Sequence, residues 1–300
     1  MPLGRINYVP SGSVAMSASQ LAAHPKLVTP DLPATVAPIS RAHAFRRLVS
    51  AYRGPLFRIR RSTDGLEQDC ASVSDAIAFV GAATGTLVTW HDQSGNARHL
   101  SQPTAAAQPT LIQAGVLSTT GTRAAAVFDN TEDYMTSPAV GAFSAGAASY
   151  FAVLEQTALS TPGRAIFHEA GSFSRYVPMQ HYTGGTFTQF GRDNTPTIYL
   201  PVAPAPETPV GFAIGIPKQL TAIDTGSVFR KRSNRAPLVD VAYTRAGTTT
   251  VSAFLLNGQG GTAPTAWWGG KIAELIEFRS AVSDTDRNAI ETSQKLWFNL

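Results

Sequence analysis

The sequence predicts an all-β fold of the sandwich or jelly-roll type, and three observations on its 300 residues carry that expectation. Turn formers are abundant, with 25 Gly and 20 Pro. Charged residues make up 15% against 43% hydrophobic, too few charges to clothe the outer faces of many helices. Short apolar or alternating runs recur at close intervals with Gly, Pro and Asn between them, as in a sandwich and unlike a chain of βαβ units.

Residues 1–40 stand apart. Six prolines (Pro2, Pro10, Pro25, Pro30, Pro33 and Pro38) and one acidic residue, Asp31, leave no sustained period. Each proline removes an amide donor and pushes the preceding residue out of the helical region. An extended arm is expected here, followed by one sandwich domain over residues 41–300. So little apolar content cannot hold an arm in place alone, which predicts a homo-oligomer whose arm orders on a neighbouring subunit.

Within the domain, RAHAFRRLVSAY (41–52) spaces Ala44, Leu48, Ala51 and Tyr52 as a helix does. GPLFRIRR (54–61) alternates Leu56, Arg58 and Arg60 against Phe57 and Ile59, a strand with one wet face whose arginines reach Asp64 or Asp69. SVSDAIAFVG (72–81) is a short helix that Ser72 or Ser74 caps and Gly81 ends. Further strands are expected at 124–129, 149–155, 186–190, 197–202, 210–216, 238–244, 250–256 and 271–278. SDTDRNAIETSQKLWFN (283–299) closes the chain as an amphipathic helix. Ser283 is its N-cap, Asp286 its third residue, and Ile290, Leu296 and Trp297 its apolar stripe.

Charge and cysteine content exclude several classes. The net charge is +4, and the only local basic run is FRKRSNR (229–235), which is no nucleic-acid footprint. Arg230, Lys231, Arg232 and Arg235 in that run suit an acidic partner surface, or a solvated loop. The single cysteine, Cys70, allows no intrachain disulfide. No window approaches the length of a membrane span, and the first residues hold no uninterrupted apolar run of a signal peptide. The chain is expected to be made in the cytoplasm, with neither membrane nor cofactor.

Four clusters are candidates for chemistry. In WHDQSGNARHLSQ (90–102) a strand-like run ends in Asp92, Gln93, Ser94, Gly95 and Asn96. This order suits a tight structural turn: Asp92 accepts amides two or three residues on, and Gly95 takes the positive φ. The alternative, a metal held by His91, Asp92 and His99, lacks a fourth ligand. FDNTEDYM (128–135) brings Asp129, Asn130, Glu132 and Asp133 together as a calcium loop does, or as an ordinary turn does. Trp267 and Trp268 are neighbours, so one faces inward and the other is free to stack on a sugar. His168 and His181 share no short motif.

Two segments carry a resemblance. AFRRLVSAYRGPLFRIRRSTDGLEQD (44–69) and DAIAFVGAATGTLVTWHDQSGNARHLSQPTAAAQPTL (75–111) resemble the start of arabinofuranosidase B-type catalytic domains. Tyr52, Gly54, Pro55, Leu56, Arg60, Arg61, Asp64, Asp92, Gln93, Ser94, Gly95 and Asn96 match, with His91 in place of a tyrosine. The C-terminal segment is similar to the closing strands and helix of concanavalin A-like and laminin G-like jelly rolls. Tail, fibre and decoration proteins of tailed bacteriophages share the N-terminal signature on the same jelly roll.

The resemblance implies a concanavalin A-like sandwich. It also implies a retaining glycosidase site, which needs a nucleophile and an acid/base carboxylate about 5 Å apart. The family places its acid/base aspartate on the loop before the closing strands. In this chain LLNGQGGTAPTAWWGG (255–270) fills that loop, and no acidic residue lies between Asp240 and Glu274. The family's vicinal cysteine pair is also missing. For the nucleophile, which the family carries on a central strand, Glu169 and Asp193 are the candidates. The expectation is therefore a non-enzymatic virion protein of a tailed phage. Its arm docks on capsid or tail subunits, and its sandwich faces outward with Trp267 or Trp268 meeting host surface polysaccharide. A carbohydrate-binding module and an arabinofuranosidase-like hydrolase are the alternatives.

Overall fold

A computed structural model describes residues 39–143, 147–158, 164–170, 175–181, 187–188, 214–242, 249–257, 259–260 and 264–300. The arm lies outside them except for Ile39 and Ser40, which belong to the first strand. The expected strand at 197–202 and Asp193 also lie outside.

The chain begins with β1 (Ile39–Ala44), β2 (Phe57–Arg61) and β3 (Glu67–Cys70), then helix α1 (Val73–Val80). β4 (Gly85–Trp90), β5 (Leu100–Ser101), β6 (Thr110–Gln113) and β7 (Val116–Leu117) follow. The small hairpin of β8 (Thr119–Thr120) and β9 (Arg123–Ala124) leads to β10 (Ala126–Asp129), β11 (Met135–Phe143) and β12 (Ala148–Gln156). Next are β13 (Arg164–Ala170), β14 (Arg175–His181), β15 (Phe187–Thr188), β16 (Pro217–Asp224), β17 (Val228–Ser233) and β18 (Val239–Ala242). β19 (Thr249–Leu256), β20 (Gln259–Gly260), β21 (Pro264–Ala266) and β22 (Gly269–Phe278) precede the closing helix α2 (Asp284–Phe298).

The fold is an all-β sandwich made by one antiparallel sheet that curls over itself. One half runs β18–β17–β16–β12–β22, and the far edge of β22 takes β10 at Gly269–Ile272 and β1 at Glu274–Phe278. From β10 the sheet passes through β6, β4 and β5 into the other half, β11–β19–β13–β14–β15. One apolar cluster joins the halves: Tyr150, Ala152 and Leu154 of β12 with Met135, Phe254 and Leu256 from β11 and β19.

β22 shows how sequence sets the layers. Opposite it, β12 pairs Val153 with Glu274 and then Leu154 with Ile272, so Ala273 is skipped as a bulge. Ile272 and Leu275 therefore both enter the main core, while Ile276 and Phe278 pack with Phe151 and Ile290 under α2. Strict alternation across KIAELIEF would have put Ile272 and Leu275 on opposite faces.

The helix expected over 41–52 is instead β1 followed by a turn. Arg41 lies opposite Glu277 in the β1–β22 ladder and meets it at 2.7 Å with both side chains fully buried. Arg46 meets Glu274 at 2.7 Å. A buried cation is tolerated only with such a partner, and pairing to β22 supplies two at once. This outweighs the helical spacing of Ala44, Leu48, Ala51 and Tyr52, of which Ala44 and Leu48 are buried in the strand-and-turn arrangement instead.

Three other expectations shift. Of the strand expected at 210–216, residues 210–213 lie outside the described residues and 214–216 are exposed; β16 follows, buried along nearly its whole length between β12 and β17 and so without alternation. The basic run is strand β17 rather than a loop. On α2, Leu296 is 61% exposed, and the buried face joins Ile290 and Phe298 to polar residues that include Glu291 and Gln294. Those two polar groups meet Arg232 and Glu274 respectively, so the face cannot be read from hydrophobicity alone.

Caps follow the sequence. Ser72 accepts the amide of Asp75, whose carboxylate returns to the amide of Ser72, and Gly81 ends α1 at φ 60°. Ser283 accepts the amide of Asp286 at the start of α2. Among the described residues no helix is long and apolar enough to cross a membrane.

Candidate functional site

The loop after β4 is a clasp on the first strand. Trp90 is fully buried and stacks on Phe45 with centroids 4.7 Å apart. Beyond it, Asp92 Oδ1 accepts the amides of Ala42 and Ser94, each at 2.9 Å. Its Oδ2 accepts the Ser94 hydroxyl at 2.7 Å and the Arg98 amide at 3.0 Å. Gln93 Oε1 accepts the Leu48 amide at 2.8 Å, and its Nε2 donates to the Arg46 carbonyl at 2.9 Å. Asn96 Nδ2 donates to the Ile39 carbonyl at 2.9 Å, and Gly95 holds φ 89°. The hydrogen bonds of Asp92, Gln93, Ser94 and Asn96 thus go to backbone groups and to the turn itself.

Electrostatics agree with that role. Burial pushes the Asp92 carboxyl up, but the nearby His43 ring, the Ser94 hydroxyl and the amides of Ser94 and Ala42 bring it below its ordinary value. Burial lowers His43 to about 4 against the opposing pull of Asp92. The neutral ring donates from Nδ1 to the Trp90 carbonyl at 3.2 Å. His91 and His99 stand edge to face with centroids 4.9 Å apart, but Nδ1 of His99 accepts the Asp92 amide at 2.9 Å and His91 faces Asp69 at 3.2 Å. Among the described residues no group of three His, Cys, Asp or Glu side chains is placed to hold a metal ion.

The second candidate loop joins β10 to β11. Asp129 Oδ1 accepts the amides of Thr131 at 2.9 Å, Glu132 at 3.2 Å and Asp133 at 3.3 Å, while Asp133 Oδ2 accepts the Asp129 amide at 3.0 Å. Asn130 takes φ 68° at the corner. Burial and the Asp129 charge push Asp133 up to about 8. Asp129 stays below its ordinary value, its hydrogen bonds overcoming burial. The two carboxyls of one turn are thus shifted in opposite directions, Asp133 up and Asp129 down.

Next to this loop sits a residue the sequence reading passed over. Asn257, fully buried at φ 59°, donates from Nδ2 to the Asp133 carbonyl at 2.8 Å and accepts the Trp268 amide at 2.7 Å. Its own amide donates to the Ile166 carbonyl at 2.6 Å. The Asn-Gly pair at the end of a strand was its only sequence signal.

Of the tryptophans, Trp268 is fully buried, folded over Gly270 so closely that a Cβ there would lie 2.1 Å from the ring. Trp267 is half-buried, with its indole nitrogen buried, and is the less buried of the pair. The basic run is divided. Arg232 pairs with buried Glu291, Arg230 with Asp240 at 3.3 Å, Lys231 is buried, and Arg235 stands on an exposed turn. Arg58 pairs with Asp69 at 2.7 Å, Arg60 with Glu67 at 2.5 Å and Arg61 with Asp64 at 2.5 Å along the β2–β3 hairpin. Glu169 and His168 lie on β13, where Glu169 pairs with Phe254 of β19 and Tyr176 of β14. His181 pairs with Arg164 and Phe187 across β14.

Comparison of the whole fold finds the same sandwich architecture in solved structures of low sequence identity, arabinofuranosidases among them. A mutant GH54 α-L-arabinofuranosidase soaked with 4-nitrophenyl α-L-arabinofuranoside matches over 86% of this chain with a TM-score of 0.59. The same enzyme type soaked with a cyclic sulfate inhibitor gives 0.58, and an arabinofuranosidase complexed with arabinofuranosyl-α-1,2-xylobiose gives 0.60. Identity is 15% in each, and this chain spans 62% of the length of those chains. No family model matches the sequence, and no curated protein matches it.

These similarities overturn the expectation of a non-enzymatic chain, because the shared fold is that of glycosidases solved with substrate and inhibitor. The gap in acidic residues between Asp240 and Glu274 speaks for one loop only. At 15% identity the carboxylates of a site need not stand in the same loops.

Proposed function

We propose that this chain is a carbohydrate-active protein of the arabinofuranosidase type, with a terminal pentofuranosyl unit of a glycan as its ligand and glycoside hydrolysis as its reaction. The observation that carries the proposal is the shared sandwich over 86% of the chain, joined to the clasp of Asp92, Gln93, Ser94 and Asn96 that the resemblance led one to expect. Glu169 is the nucleophile in this reading. Its strand lies between two others, β19 and β14, the central-strand position that the resemblance implies for the nucleophile. A carboxylate there attacks the anomeric carbon while a second carboxyl protonates the leaving oxygen, and water then releases the sugar. Trp267 supplies an aromatic face for the sugar ring.

A virion setting, with oligomers docked through residues 1–40, rests on the sequence resemblance and the composition of the arm. It is compatible with a hydrolase that meets host glycans. The test of the catalytic assignment is Glu169→Gln. The variant keeps the wild-type unfolding midpoint and loses hydrolysis of an aryl arabinofuranoside by about 10³-fold or more, as expected when a nucleophile is removed. Unchanged turnover would remove Glu169 from the mechanism.

A further inference from the structure

We infer that Asn257 is a positioning residue that locks strand β13, and Glu169 with it, to the Asp133 loop and to the Trp267–Trp268 segment. The catalytic half of this inference rests on the hydrolase reading above, and the locking half stands on geometry alone.

β13 is held on one side by only four ladder positions to β19, Phe167 to Ala170, and on the other by β14, beyond which β15 pairs at two positions. The Ile166 carbonyl lies just outside that ladder and takes the Asn257 amide at 2.6 Å. At φ 59° the chain leaves β19 while that amide still faces β13. Asparagine adopts this left-handed conformation far more readily than most residues with a Cβ. The same turn sends the carboxamide the other way, where its nitrogen reaches the Asp133 carbonyl and its oxygen the Trp268 amide. One buried side chain thus ties the end of β19 to the β10–β11 loop and to the approach to β22, while its amide holds β13. No other described side chain of the β19–β22 connection does so.

The orientation of the carboxamide is fixed by its partners. A carbonyl only accepts and an amide only donates, so nitrogen must face Asp133 and oxygen must face Trp268. Removing the side chain leaves that carbonyl and that amide buried without a partner, a condition native interiors rarely tolerate.

The experiment is amide hydrogen exchange, read by mass spectrometry on the full chain, with kcat and KM measured on 4-nitrophenyl α-L-arabinofuranoside. Asn257→Gly keeps the left-handed backbone and deletes both side-chain bonds. It is expected to speed exchange about tenfold or more in Ile166–Ala170 and at Trp268. Phe151–Leu154 and Leu275–Phe278 keep wild-type rates. It also lowers kcat by about 10- to 100-fold, more than it raises KM, the mark of a misplaced reacting group. Should that variant fail to fold, Asn257→Asp keeps the acceptor for Trp268 and loses the donor to Asp133, and the same segments are read. Asp133→Asn is the control: it retains the carbonyl that Asn257 holds and leaves exchange in Ile166–Ala170 unchanged. Wild-type exchange at β13 in a folded position-257 variant overturns the inference. If wild-type protein hydrolyses nothing, the proposed function fails, and the exchange experiment still decides the lock.

Discussion

Asp92 accepts the amide of Ala42 at 2.9 Å, a bond between residues fifty positions apart that joins the strand-ending turn to the first strand of the sheet. It is one of four bonds this carboxylate receives, and the carboxylate is 1% exposed. Asp92→Ala leaves three amides and a hydroxyl without their acceptor. Each buried orphan costs about 1–3 kcal/mol, so with partial relaxation the loss of unfolding free energy is expected at about 3 kcal/mol or more. Urea denaturation checks it, with a lowered midpoint at an unchanged slope. A loss under about 1 kcal/mol would mean β1 does not need the clasp.

The Arg41–Glu277 pair gives a sharper contrast. Both side chains are fully buried, and Arg41 also lies over the Phe254 ring at 4.3 Å. Glu277→Ala removes the carboxylate that Arg41 and the partly exposed Arg279 share, and is expected to cost about 3–5 kcal/mol. Arg41→Met combined with Glu277→Leu removes both charges and is expected to recover most of that loss. A double variant as unstable as the single one would show that the pair contributes more than mutual neutralisation.

His43 imposes a dependence on acid. Its folded value of about 4 lies below the ordinary 6.5 because burial disfavours the charged ring. The unfolded chain therefore takes up a proton that the folded chain refuses. The stabilising effect is complete above pH 6.5 and is lost as pH falls toward 4, by up to about 1.4 kcal/mol per unit. His43→Asn removes this slope, and thermal unfolding at pH 4.5 and 6.5 measures it. Equal slopes in variant and wild type would contradict the assignment.

Asp133 works in the opposite direction. Burial and Asp129 raise it from 3.8 to about 8, so the folded state keeps a proton that the unfolded state releases. Stability from this group is complete below pH 4 and declines as pH rises through 8, again by up to about 1.4 kcal/mol per unit. Asp133→Asn flattens that decline, seen as a smaller difference in midpoint between pH 5 and pH 8. The two groups oppose each other between pH 4 and 6.5, so the variants separate what the wild-type curve merges.

Legibility in the sequence followed how local each cause is. Ser72, Gly81 and Ser283 act within one turn of themselves, and the caps were readable. Strands with one wet face, such as Phe57–Arg61, were readable too. β1 was not, because its identity depends on Glu274 and Glu277 more than two hundred residues away. β16 was hidden by burial on both faces, which erases alternation. The clasp was legible as a turn, while its hold on Ile39–Leu48 was not. Asn257 left no pattern beyond an Asn-Gly pair, since its partners come from three separate segments. Function was the least legible of all: the loop lacking acidic residues argued against an enzyme, while solved structures that share the fold are glycosidases.

The most direct test is release of 4-nitrophenol from 4-nitrophenyl α-L-arabinofuranoside by the full chain, followed by absorbance against a matched blank. Turnover that saturates with substrate and vanishes in Glu169→Gln is the predicted result. No release from a folded chain over a range of pH, together with no binding of arabinofuranosyl oligosaccharides, would contradict the proposal that this sandwich acts on furanosyl glycans.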